Sequence, residues 1–354
     1  VAIALGSLAL VVSAVAGAVM VRQNAVRAEL RQAREALAAG RFGLASQRLS
    51  RLADRWTNDG EVLFLLGNSQ FSLGKRDEAV TAWSRVPASS PYFGKALLSM
   101  AARLIDAGRF SPAEALLVPA LAEPAREGRY ELELELIRLY RYEGRFHDVR
   151  PLVRASWCRA PKPAAVLKQL WGADMAPRPL EQLKNTLSKA DQEDDRVWLG
   201  WANLAIITGQ FAEASTWLGR CQGRRPDDPA VWQARLELAV VTGDVDGFWT
   251  AAQRLPANHF EPSEVLAYRS WLAATHHDAE GEDRELTKLI ECAPGNAKAL
   301  ERLAVLKAES GRPRDAEALH RRRVEVNQAR ETCRNIFYDG DDLLSRAGVL
   351  AASM

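Results

Sequence analysis

Glycines that each close one helical pattern and precede the next stand at Gly40, Gly74, Gly108 and Gly144, and again at Gly209, Gly243 and Gly311. Their separations are 34, 34, 36, 65, 34 and 68 residues. A recurring period of this length is the signature of a repeat array, in which each unit buries its apolar face only against its neighbours. The two long steps are close to twice 34, so each hides one further turn, near Pro177 and at His277, which makes nine units between about Arg22 and Gln328. Counting globular domains from a length of 354 residues therefore does not apply.

The same residue types return around each turn. Seven positions before it stand Ala33, Gly67, Ala101, Ala202 and Ala304; five positions after it stand Ala45, Ala79, Ala113, Ala214 and Ala316. Small side chains at both places let two helices approach closely. Phe42, Phe110, Phe146 and Phe211 follow the turn by two positions and are expected to plug the bend. Pro91, Pro161, Pro226 and Pro294 come seventeen positions after it and end the second helix, because proline cannot continue the hydrogen-bond ladder. Trp83, Trp198 and Trp232 fall at bulky core positions, whereas Trp201, Trp249 and Trp271 are left as candidates for exposure.

With this pattern of small, bulky and proline positions the chain resembles the tetratricopeptide repeat family, a 34-residue helix-turn-helix. The best match is Asp195–Asp228, with Trp198, Ala202, Gly209, Phe211, Ala214 and Pro226 in register. The resemblance implies an all-α solenoid, a right-handed superhelix of helix-turn-helix units, here behind an N-terminal apolar helix. The expected organisation is an apolar segment over 1–21, units one to four over 22–161, a degenerate unit over 162–194, units six to nine over 195–328, and a helical extension over 329–354 that begins a further, truncated unit. Residues 162–194 are degenerate because Pro163, Pro177 and Pro179 interrupt them. Ser263–Pro294 is weak because His277 replaces the turn glycine and no alanine follows in frame.

From Val1 to Val21 no residue is charged, and about 20 apolar residues suffice to cross a bilayer as a helix. A membrane anchor is the direct reading; the alternative is a cleaved secretory signal, for which Ala14-Val15-Ala16 and Ala16-Gly17-Ala18 supply small-x-small sites. Arg22, Arg27, Arg31 and Arg34 taken alone favour a cytoplasmic repeat region. A lone N-terminal span favours export. The expectation is an extracytoplasmic repeat region on one N-terminal span, with the orientation left open.

Lysine plus arginine (47) nearly balances aspartate plus glutamate (45), so no electrostatic footprint for a nucleic-acid partner is present and none is expected. Arg224–Arg225 and Arg321–Arg323 are read as solvated charges at helix ends. Cys158, Cys221, Cys292 and Cys333 are far apart, and Cys221 is read as a buried small hydrophobe. The histidines His147, His259, His276, His277 and His320 form no recognised ligand or catalytic motif, and the cluster His276, His277, Asp278, Glu280 and Asp283 reads as a solvated turn. No phosphate loop or nucleophile elbow occurs. The expectation is a protein without catalytic residues, metal or cofactor.

Such repeats recognise an extended peptide or a helix of a partner protein along the face lined by their first helices. Counting from the small position of each first helix predicts the residues on that face: Phe64, Asn68 and Phe71; Arg138, Arg141 and Tyr142; Arg196 and Asn203; Gln233 and Glu237. Family members that clamp a carboxylate use a spaced set of lysine, asparagine and arginine, but Asn68 is followed in the next unit by Ala102, so that clamp is incomplete. The functional expectation is a membrane-tethered interaction scaffold. The alternatives are the repeat region of a larger bacterial protein whose activity lies in a further C-terminal domain, such as an FG-GAP/ASPIC-type β-propeller, or an envelope-assembly protein.

Overall fold

The computed structural model describes residues 26–56, 58–123, 128–157 and 180–338. The apolar segment 1–21, the expected turn near Pro177, Pro161 and the segment 341–354 lie outside these residues. Among the described residues every regular element is a helix. A helix over 26–38 (α1) is followed by α2 (Phe42–Arg55), α3 (Gly60–Ser72), α4 (Arg76–Ser84), α5 (Phe93–Asp106), α6 (Phe110–Ala122), α7 (Arg129–Tyr142) and α8 (Phe146–Trp157). Then come α9 (Leu180–Lys189), α10 (Asp195–Ile207), α11 (Phe211–Arg224), α12 (Pro229–Thr242), α13 (Val245–Ala252), α14 (Pro262–Thr275), α15 (Ala279–Cys292), α16 (Ala297–Glu309) and α17 (Pro313–Tyr338). No helix among the described residues is long and apolar enough to cross a membrane.

The turns are built from backbone sterics. Gly40, Gly74, Gly108, Gly144, Gly209, Gly243 and Gly311 all have φ between 69° and 79°, a region that costs an L-residue about 1–2 kcal/mol and glycine nothing. That left-handed residue lets the next N–H reach back five positions and satisfy a helix-terminal carbonyl: Lys75 to Gln70 at 2.9 Å, Gln210 to Ala205 at 2.8 Å, Arg312 to Lys307 at 2.8 Å. His277 does the same without being glycine. Its φ is 59°, and the Asp278 N–H reaches the Ala273 carbonyl at 2.9 Å, so the weak unit keeps the turn and carries the strain.

Helix starts are equally explicit. Asp59, Asp194, Asp228, Asp244, Asp278 and Asn296 each accept a backbone N–H from the first turn of the helix they precede, and Pro229 occupies the first position of α12, where no donor is needed. The resulting hairpins pair α3 with α4, α10 with α11, α12 with α13, α14 with α15 and α16 with α17.

The small positions lie where the helices touch. Ala33, Ala45, Ala79, Ala101, Ala113, Ala202, Ala214 and Ala304 are all fully buried. Gly67 lies so close to Trp83 that a Cβ would come within 2.3 Å of the indole Nε1. In the weak unit the two places hold Ser270 and Glu282, both buried. Glu282 is neutralised there by Arg302, which donates to its two carboxylate oxygens at 2.6 and 2.8 Å.

The chain divides into two compact units, Val1–Ala107 with Pro112–Leu136, and Gly108–Ser111 with Ile137–Met354. The first is centred on Ala33, Leu49, Leu52, Leu63, Trp83 and Met100. Clusters of the second form around Leu199 and Leu218, around Leu236 and Phe248, and around Leu289 and Leu300. Full burial of one such leucine stabilises by about 1.5–3 kcal/mol.

Trp83, Trp198 and Trp232 are buried as their register implies, and Trp249 is exposed. Cys221 is buried, and burial pushes its thiol up to about 12. Two expectations are corrected. Phe110 plugs its bend at 0% exposure, but Phe211 is 38% exposed and does not. Arg321–Arg323 lie inside α17, where Arg321 pairs with Glu317 and Arg323 with Glu301, because that helix runs on to Tyr338.

Candidate partner-binding face

In the second unit, α10, α12 and α14 are successive first helices; α10 and α14 reach residues 143–150 of the same chain, and α12 joins them through Gln233, which is bonded to His259. On α10, Asn203 donates its Nδ2–H to the Glu143 carbonyl at 2.7 Å. A Cβ at Gly144 would sit 2.6 Å from the Asn203 Cβ, so this turn glycine also permits close approach. On α12, Gln233 donates to Glu237 at 3.0 Å and offers its own Oε1 to His259 Nε2 at 3.0 Å. On α14, Glu264 splits its carboxylate: Oε2 accepts the Glu261 N–H at 2.9 Å, and Oε1 lies 3.1 Å from His147 Nδ1.

His147, near the start of α8, is the centre of this cluster. Its ring stacks on that of His259 with centroids 4.2 Å apart, and Phe260 closes the edge. One turn further along α8, Arg150 lies 3.6 Å from Glu264, and after another turn Arg154 pairs with Glu261. Over two turns α8 is thereby tied to the start of α14.

Charge is partitioned within the cluster. The hydrogen bond to Glu264 holds His147 above the ordinary histidine value despite burial, with the charges of Glu264, Asp148 and Glu237 adding to it. Burial, then the neighbouring His147 charge, pushes His259 below that value. For Glu264, burial works upward but is outweighed by the His147 and Glu261 hydrogen bonds and by the His147 and Arg150 charges, so its carboxyl sits low. Glu237 is raised by burial, offset in part by the Gln233 hydrogen bond. Burial lifts the Tyr268 phenol to about 12. The arrangement favours the protonated form of His147 beside Glu264 and disfavours protonation of His259. Among the described residues no group of histidine, cysteine and carboxylate side chains is disposed to hold a metal ion.

Beside it lies a second polar network. Asp194 accepts the Ser111 N–H at 2.8 Å, Asp195 accepts the Ser111 hydroxyl at 2.6 Å, and Arg225 pairs with Asp195. Arg196, 5% exposed, is paired with Asp228 at 2.8 Å. Arg225 follows the end of α11 as expected of a helix-end cation, but it is bonded and not merely solvated.

The sequence-selected residues are thus distributed as follows. Gln233 and Glu237 belong to the His147 cluster, and Asn203 holds the turn that leads into α8. Arg196 is buried in its ion pair. Tyr142 stacks on Phe110 at 5.9 Å, while Arg138 and Arg141 are half-buried. In the first unit, Phe64 stacks on Tyr92 and Asn68 accepts from the Trp83 indole at 3.2 Å. Phe71 is sandwiched between Trp83 and the Arg103 guanidinium. His147, His259, Glu264 and Tyr268 were not selected. Nothing local marks them, because the pairing of His147 with Glu264 spans 117 residues of sequence.

No known family's sequence pattern matches the chain, and no curated protein matches it. Among solved structures it is similar to the TPR domain of P58(IPK), at 13% identity and a TM-score of 0.30, over 93% of this chain and 98% of that one. It is also similar to PilW, a type IV pilus biogenesis factor, at 13% identity and a TM-score of 0.34, over 66% and 93% of the two chains. A third is a tetratricopeptide repeat protein from Parabacteroides merdae, at 13% identity and a TM-score of 0.32, over 70% and 98%.

Proposed function

We propose that this chain is a non-catalytic scaffold of the tetratricopeptide type that binds a helix or extended segment of a partner protein on the faces of its first helices. The observation that carries this reading is the occupant those faces already have. Along α8 and the turn before it, Glu264 meets His147 and Arg150, Glu261 meets Arg154, and Asn203 of α10 holds the Glu143 carbonyl, so one segment is read by side chains from two repeats. The face therefore has the chemistry to receive a helix: hydrogen-bonding side chains on successive first helices and a carboxylate, Glu264, that holds the cationic side chains of one. In this reading the run Val1–Val21 tethers the scaffold to a membrane.

The test is affinity capture of the full-length protein from its native membrane, comparing wild type with Glu264→Gln and Gln233→Ala. A partner held by wild type and weakened at least tenfold by either substitution supports the assignment. A partner held equally by all three, or none in repeated captures, overturns it.

A further inference from the structure

The second unit has a cleft of about 530 Å³ between α11, α12 and α13, within the size range of ligand pockets. It stays open because the side chains facing it are short: Ala212 and Ser215 on α11, Ala239 on α12, and Gly247, Thr250 and Ala251 on α13. Its walls carry two aromatic groups, the buried Trp232 and the exposed Phe211.

The cation in this cleft is Arg235. Among the described residues its Nε is buried without a hydrogen-bond partner, and burial lowers the guanidinium from its ordinary value with no carboxylate acting on it. Arg235 lies 6.0 Å from the Trp232 ring centroid, and Arg254 lies 5.5 Å from the same ring. Arg254 has Asp227 at 3.7 Å, whereas Asp244, the acid lining the cleft, is committed to capping the Gly247 N–H at 2.8 Å. A half-buried guanidinium without a counter-ion costs stability, and such costs are characteristically tolerated where a ligand supplies the missing charge.

We propose that this cleft binds a carboxylate flanked by an apolar side chain, as presented by an acidic peptide segment of a partner protein. The carboxylate meets Arg235 and the apolar group enters between Phe211 and Trp232. Guanidinium suits this role because its planar fork offers a carboxylate two parallel donors. The cleft is lined by none of the residues of the His147 cluster and does not rest on what binds there.

The probe is N-acetylphenylalanine, with uncharged N-acetylphenylalaninamide as control, titrated calorimetrically into the full chain. We expect wild type to bind the acid at least tenfold more tightly than the amide, and Arg235→Gln to abolish that difference while leaving amide binding unchanged. The variant gives up the 6.0 Å contact of Arg235 with the Trp232 ring and no hydrogen bond at Nε, so its melting temperature should stay close to that of wild type. Equal binding of acid and amide, acid binding that survives the substitution, or absence of saturable acid binding each overturn the proposal.

Discussion

Replacing Gly67 by alanine tests whether the small positions act through contact or merely through helix propensity. On propensity alone the change stabilises, because alanine in a helix interior is favoured over glycine by about 1 kcal/mol. The structure opposes this. The added methyl would lie 2.3 Å from Trp83 Nε1, 2.5 Å from Cδ1 and 2.7 Å from Cε2, and Trp83 is a buried, doubly anchored ring. Its indole N–H donates to the Phe64 carbonyl and to Asn68 Oδ1, both at 3.2 Å, so the ring cannot withdraw without losing them. Overpacking costs about 1–3 kcal/mol and a lost hydrogen bond about 0.5–1.5 kcal/mol. Against the gain of about 1 kcal/mol, the net loss is about 0.5–3.5 kcal/mol. The assay is urea unfolding followed by far-ultraviolet circular dichroism, in wild type and in a Trp83→Leu background where the obstruction is gone. Gly67→Ala should destabilise the first and stabilise the second by about 1 kcal/mol. The same sign in both backgrounds would refute the contact argument.

The turn positions give a pair of opposite sign: His277→Gly should raise stability by about 0.5–1 kcal/mol, whereas Gly209→Ala should lower it by about 1 kcal/mol, because both sites hold a left-handed backbone. Thermal melts that move in the same direction would count against this account. Arg302→Met should cost about 2–3 kcal/mol by stranding the buried Glu282 carboxylate, and adding Glu282→Ala, the residue most other repeats use there, should restore most of it; a double mutant no better than Arg302→Met would contradict the pairing. In a proton NMR titration His147 should titrate above the ordinary histidine value and His259 below it, and the reverse order would rule out the proposed charge partition. By linkage, His147 adds stability that is complete below the unfolded histidine value near 6.5 and lost as pH rises through its raised folded value, whereas His259 adds stability present above 6.5 and lost as pH falls through its lowered one. Glu264, held low, adds stability present above its unfolded value near 4.5 and lost on further acidification.

What was legible in the sequence is what a single hairpin decides. A left-handed residue is needed at each turn, so Gly40 through Gly311 are readable one at a time, and His277 is readable by its place in the period. The alanines at the crossing points follow from the same local geometry. Position counting also assigned faces, and here it reached its limit. It placed Arg196 among groove residues, but the chain brings Asp228 to it and the guanidinium is buried. It likewise gave Phe211 the role of Phe110, although the cleft beside α11 leaves that ring uncovered. The histidines were named without being joined for the converse reason: His147 and His259 belong to different repeats and acquire meaning only when α8 is brought to the start of α14.

That placement of α8 also changes how the second unit assembles. An array held only by neighbour contacts behaves as a one-dimensional chain, nucleating anywhere and fraying freely from its ends. Contact between His147 and Glu264 bridges 117 residues, and loop-closure entropy makes it unfavourable until the intervening helices have compacted that loop. It is therefore expected to form late and to report an opening early. Once made, it ties α8 to α14, so that opening of α10 or α12 is expected to be coupled to its loss.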